Sequence, residues 1–151
     1  MLRGVLIGAI LLVLTSLFHY EILSLLTMFL KRVRVHHRAA IVGMVVILPL
    51  AHLICISMYA VAFYLIRDDF HLGTLGGVFK DSAGDYLYFS FETYASLGFG
   101  DIVPFGAARF LAGAETLNGL FLIAWSASFI FLLMQKYWEL EIVKKDETPK
   151  T

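Results

Sequence analysis

Three apolar runs, at residues 2–30, 39–66 and 107–135, limit what this chain can fold into more than any other feature. The hydrocarbon core of a bilayer takes about 20 apolar helical residues to cross, at about 1.5 Å of rise each. Backbone groups in lipid have no water to bond, so such runs satisfy themselves as helices. Of 151 residues, 60% are hydrophobic, and the mean hydropathy is +0.81. A water-soluble domain is nearer half apolar. The expected fold class is an all-α membrane protein with three transmembrane helices, surrounded by membrane lipid. Net charge is zero, so no nucleic-acid partner is expected. The single cysteine, Cys55, excludes a disulfide within one chain. The first run follows Arg3 as a leader peptide would. It continues to Leu30 and a basic cluster without a small-residue cleavage site, so a retained helix is expected at 1–30.

Charge orients the helices. Lys31, Arg32, Arg34 and Arg38, with His36 and His37, separate the first two runs; Lys136, Lys144, Lys145 and Lys150 follow the third. Basic loops stay on the cytoplasmic side. This places the N-terminus outside and 136–151 as a short cytoplasmic tail, in a multi-pass protein of the cell (inner) membrane. The 67–84 loop is then external and acidic, with Asp68, Asp69 and Asp81, and Asp85 just beyond.

Between the second and third runs lies a segment of a different kind. Residues 82–85, Ser-Ala-Gly-Asp, suit a helix start. The apolar, aromatic stretch 86–95 is too short to span a membrane. Two glycines, an aspartate and Pro104 follow at once. Irregular backbone at membrane depth is tolerated only where it is buried in protein or lines a watery cavity. A re-entrant pore helix at 86–95 meets that condition. An ordinary external loop leaves its aromatics unexplained.

The stretch Tyr88-Phe-Ser-Phe-Glu-Thr-Tyr-Ala-Ser-Leu-Gly-Phe-Gly-Asp-Ile-Val-Pro104 resembles the pore signature of potassium channels, in which a pore-helix Thr precedes T-V-G-Y-G-D and a nearby Pro. Thr93 falls on the pore-helix threonine. Ser96, Leu97, Gly98, Phe99, Gly100 and Asp101 fall on the six filter positions. Arg109 and Gly119 match an outer-end arginine and the hinge glycine of bacterial two-helix channels. The resemblance covers about 85–133, a third of the chain. It implies a pore domain at 39–135, with outer helix 39–66, pore helix 86–95, filter 96–101 and inner helix 107–135. It also implies a homotetramer, since four copies must ring the ion. The helix at 1–30 is additional to that plan.

The chemistry of such a filter is carried by backbone. Carbonyls replace the water around a dehydrated K+ ion, and glycines at 98 and 100 take conformations other residues resist. Ser96, Leu97, Gly98, Phe99 and Gly100 are the expected ion-binding residues. Glu92, Thr93, Asp101, Phe89 and Tyr88 are the expected support. Phe99 lacks the hydroxyl that usually braces the filter, and Phe89 stands where relatives often carry Trp, so an apolar contact is expected there. The resemblance places Glu92 near Asp101, where close carboxyls share a proton; the plainer reading is a polar cap. In the family register Glu115 braces the pore helix, and Leu120, Ile123, Ala127 and Phe131 face the cavity, although helix packing explains the same positions.

Ionisable groups at bilayer depth are hypotheses about function. His19, Tyr20 and Glu21 interrupt the first run, and His52 lies at a similar depth in the second. Helix glue, a proton sensor and a metal site are the readings of this cluster. Cys55 with His52 supplies too few ligands for zinc. No nucleophile–base set, phosphate loop or nucleotide pattern is present, so neither an enzyme nor a small-molecule substrate is expected. No cofactor or structural metal is expected beyond K+ as permeant ion. The functional expectation is a passive potassium-selective channel. Its rivals are a weakly selective cation channel, the membrane subunit of a potassium transporter and a non-conducting interaction subunit.

Overall fold

The computed structural model describes residues 2–32, 36–68 and 72–146. Arg34, Asp69 and Lys150 lie outside them, and the side chains of Asp68, Lys144 and Lys145 are likewise not described. Four helices carry the chain: α1 (Leu2–Arg32), α2 (His37–Asp68), the short α3 (Ala83–Tyr94) and α4 (Ala108–Asp146). α1, α2 and α4 are each long and apolar enough to cross a membrane. The all-α membrane class with three spanning helices is therefore as expected, and α3 is a short helix between the second and third of them.

Two features differ from expectation. α4 does not end near 135 but continues to Asp146, so most of the expected tail is helix. Nothing between Gln135 and Asp146 breaks the helix, since neither Gly nor Pro occurs there. The loops flanking α3 also form a two-stranded antiparallel ribbon that the apolar pattern does not signal. β1 (Gly73–Gly77) pairs with β2 (Ile102–Gly106), from Gly73 opposite Gly106 to Gly77 opposite Ile102. Its glycines and Pro104 are turn-formers by habit. Pairing joins the loop before α3 to the segment after residues 96–101.

The core lies between α2, α3 and α4. Cys55, Tyr59 and Phe63 of α2 meet Phe89 and Tyr94 of α3 and Leu111, Ala112 and Leu122 of α4. α1 packs chiefly on α4 and also on α2. Its buried face is Gly4, Gly8, Thr15, His19 and Leu23, a stripe at helical spacing. A Cβ at Gly4 or Gly8 would stand 2.8 and 2.9 Å from the Cβ atoms of Ala107 and Ala114, so small residues set the approach of α1 to α4.

Candidate ion-conducting segment

Residues 96–101 leave the end of α3 as exposed, irregular backbone held at both ends. The amide of Ser96 donates to the Thr93 carbonyl at 3.2 Å and that of Leu97 to the Glu92 carbonyl at 2.9 Å. At the far end the Asp101 carbonyl accepts from Val78 at 2.8 Å, beside the ribbon. Between these anchors φ is positive at Ser96 (58°) and Gly98 (95°). Left-handed residues alternate with ordinary ones, which turns successive peptide units away from a common strand geometry. The expectation placed this freedom at Gly98 and Gly100; Ser96 takes the second role instead. Gly100 is closely approached instead: a Cβ there would stand 3.3 Å from Glu92 Oε1, so the carboxylate would have to give way by a few tenths of an ångström.

The expected support residues are together. Phe99 stacks on Phe89 with centroids 5.7 Å apart and planes 14° from parallel, and Phe89 meets Phe63 edge-on at 4.9 Å. An apolar stack thus stands where a hydroxyl brace was missing. Tyr88 donates its hydroxyl to Glu92 Oε1 at 2.6 Å, and Asp101 lies within electrostatic reach of that phenol. The direct Glu92–Asp101 bridge is not among the hydrogen bonds of the described residues; Tyr88 stands in its place, one helical turn before Glu92. Glu92 Oε2 and Thr93 Oγ1 are buried without partners in the single chain.

α4 lies directly against the end of α3. Thr116 Oγ1 donates to the Thr93 carbonyl at 3.0 Å. A Cβ at Gly119 would run into the Tyr94 carbonyl. The helix passes through Gly119 without interruption, so the position expected as a hinge also serves as a point of close approach. One turn earlier, Glu115 is wholly buried and in hydrogen-bond contact with the Ser90 hydroxyl, whose oxygen also lies 2.8 Å from the Ile56 carbonyl; with one proton to give, Ser90 donates to one of the two at a time. Glu115 thus braces α3 through Ser90. Leu120, Ile123, Ala127 and Phe131 occupy one exposed face of α4 in the single chain.

The loop before α3 is held by its own charges. Asp81 pairs with Arg67 and accepts from Tyr86 Oη at 2.8 Å. Asp85 closes a capping box on Ser82 and accepts from the Lys80 amide at 2.8 Å. These hydrogen bonds from the Lys80 and Ser82 amides hold its carboxyl below the usual range. The charge of Asp81 is thus matched by Arg67, and that of Asp85 is committed to the cap of α3.

The polar cluster corrects one expectation. His19 and His52 do meet, with ring centroids 4.9 Å apart. Glu21 is exposed and takes no part, because two residues turn a helix by about 200° and put it opposite His19. Tyr20 is also exposed and lies against Trp125. The partners are ones the sequence analysis did not single out. Ser126 Oγ lies 2.9 Å from His19 Nε2 and 3.0 Å from His52 Nε2, and the Tyr94 hydroxyl lies 2.8 Å from His52 Nδ1. Asn118 likewise joins Thr15 of α1, at 2.6 Å, to Tyr59 of α2, at 3.1 Å. Their helical spacing was readable; that serine and tyrosine would complete the histidine pair was not. Among the described residues no group of three His, Cys, Asp or Glu side chains forms a metal site.

No curated protein and no solved structure matches this chain. A family model described as an ion channel matches residues 51–136, which span α3, the irregular segment, the ribbon strand after it and most of α2 and α4. With more than half of its length matched and three helices able to cross a membrane, the chain is a multi-pass membrane protein that belongs to this ion-channel family.

Proposed function

We propose that the chain is one subunit of a homotetrameric channel selective for K+, with 96–101 as its filter. The observation that carries this reading is the form of that segment: exposed backbone, left-handed at alternate residues 96 and 98, anchored at both ends and backed by the Phe89–Phe99 stack. Backbone exposed to this degree at membrane depth needs ions, water or neighbouring subunits around it. Four copies about an axis supply all three. Ser96, Leu97, Gly98, Phe99 and Gly100 then offer carbonyl ligands, and the C-terminal end of α3 directs its partial negative charge toward the permeant ion. The exposed face Leu120, Ile123, Ala127 and Phe131 lines the cavity below. The basic residues Lys31, Arg32, Arg38 and Lys136 set the cytoplasmic side, leaving the filter near the outer face.

Flux through liposomes holding the purified protein tests this. The reversal potential is expected to follow the K+ gradient, with barium blocking from the inside. Equal Na+ and K+ permeation would favour a weakly selective cation channel.

A further inference from the structure

Basic side chains of the three long helices gather at one end of the molecule. Lys31 and Arg32 close α1, Arg38 lies in the first turn of α2, and Lys136 follows the apolar part of α4. Leu30 of α1 and Leu133 of α4 pack there on the cluster of Leu23, Met44 and Leu48, and His37 of α2 stacks on Tyr137 of α4 at 4.2 Å. Among the described residues no carboxylate pairs with Lys31, Arg32, Arg38 or Lys136. Like charges gathered in this way repel, so a counter-charge from outside the chain stabilises them.

A groove of about 390 Å³ runs between α1 and α4 at this end. Its walls are Leu30, Phe129, Leu132 and Leu133, and Lys31 and Lys136 stand at its mouth. Seven positions of α4 separate Phe129 from Lys136. The apolar wall therefore reaches about 10 Å below the amines, against about 15 Å of hydrocarbon in one leaflet. A leaflet presents the same two chemistries in the same order, acyl chain below and headgroup above. Both lysines are exposed, and their stems let the amines reach headgroup level. The groove also lies on the outer side of α4. Phe129 and Leu133 follow Ala127 and Phe131 by two positions, about 200° of turn, so they point away from the face assigned to the cavity. A tetramer closed about that face leaves the groove to lipid.

We propose that this groove binds an anionic phospholipid of the leaflet at the basic end, with an acyl chain along Leu30, Phe129 and Leu133 and the phosphate at Lys31 and Lys136. A soluble phosphate ion would gain the charge contact alone. A zwitterionic phospholipid would cover the apolar wall and leave the lysines without a net counter-charge. An anionic lipid answers both. Because the walls come from two helices, the bound lipid ties the added helix α1 to α4. A basic side chain near a membrane surface favours anionic lipid by about fivefold, so the two lysines together give a preference of about five- to twenty-fivefold. The outward placement of the groove rests on the tetramer reading; the lipid site does not.

Photo-labelling of the full-length protein in phosphatidylcholine bilayers tests this. The bilayers carry either photoreactive phosphatidylglycerol or photoreactive phosphatidylcholine with the same acyl chains, and labelled peptides are quantified by mass spectrometry. Phosphatidylglycerol should label 27–31 and 129–137 about five- to twenty-fivefold more than phosphatidylcholine does. The exposed apolar positions between Val5 and Leu14, at the other end of α1, should show no such preference. Lys31→Gln with Lys136→Gln should abolish the preference and leave phosphatidylcholine labelling unchanged; Lys31→Arg with Lys136→Arg should keep it. Equal labelling by the two lipids would overturn the proposal and make the groove ordinary lipid-facing surface. Absence of labelling by either would overturn it too, marking a groove covered by another copy of the chain. A preference that survives the glutamine pair would put the anionic headgroup elsewhere and contradict the site. The labelling needs no ion flux, so a protein that shows the preference and passes no K+ would keep the site and sink the channel reading.

Discussion

Gly119 shows how one residue can carry two meanings. The family register names it a hinge, whereas its position under the Tyr94 carbonyl makes it a contact that only glycine permits. Gly119→Ala is therefore expected to push α4 from the end of α3 and cost about 1–3 kcal/mol, as overpacking does. Chemical or thermal unfolding in detergent reads this; a stability equal to wild type would leave the hinge as its sole role. Tyr88 makes a similar case. Tyr88→Phe removes the hydroxyl that holds Glu92 and should alter how long the filter conducts, with the K+ preference unchanged, because the ligands are backbone oxygens. Single-channel recording checks it, and an unaltered open lifetime would make the bond a local packing detail. The irregular backbone at 96–101 was legible because glycines and their spacing are sequence facts. Tyr88 was expected among the support residues, but its bond to Glu92 in place of a direct Glu92–Asp101 bridge was not: the signature sets Tyr88 and Asp101 thirteen residues apart, and only folding returns them to one place.

Among the elements, α3 depends on its first turn. Ser82 and Asp85 form its capping box, and the Asp85 carboxylate accepts from Lys80 and Ser82 amides. Because its folded pKa is lowered, the stability it gives is present above the ordinary carboxylate value of 3.8 and is lost as pH falls below that toward the folded value. Asp85→Asn should flatten this acid limb of the stability profile, measured by thermal unfolding from neutral pH downward. Ser82→Ala should cost about 1 kcal/mol at neutral pH, as lost N-caps do. The spanning helices were legible from hydropathy alone, and α3 from its brevity. The ribbon was not, because β1 is mostly glycine and its partner lies beyond residues 96–101, so neither strand shows an alternating apolar pattern. The extension of α4 was missed for the opposite reason: charge after residue 135 reads as tail, yet charged residues are good helix formers.

At the scale of the whole molecule, the extra helix α1 is joined to the channel by small residues near its N-terminus and by Thr15 and His19 deeper in. The sequence offered its polar residues as a group of neighbours, His19, Tyr20 and Glu21. The helix separates them by about 100° each, so one of the three enters the core. The proton-sensing reading accordingly concerns His19 and His52 without Glu21. The same architecture leaves the 96–101 backbone and one face of α4 exposed on a single chain, surfaces that four subunits around an axis would close. The most direct test of that account is the reversal potential of the purified protein in liposomes under opposed K+ and Na+ gradients. A carbonyl-lined filter predicts a potential close to the K+ equilibrium value, retained in Phe99→Tyr; a potential near zero under equal and opposite gradients would contradict it.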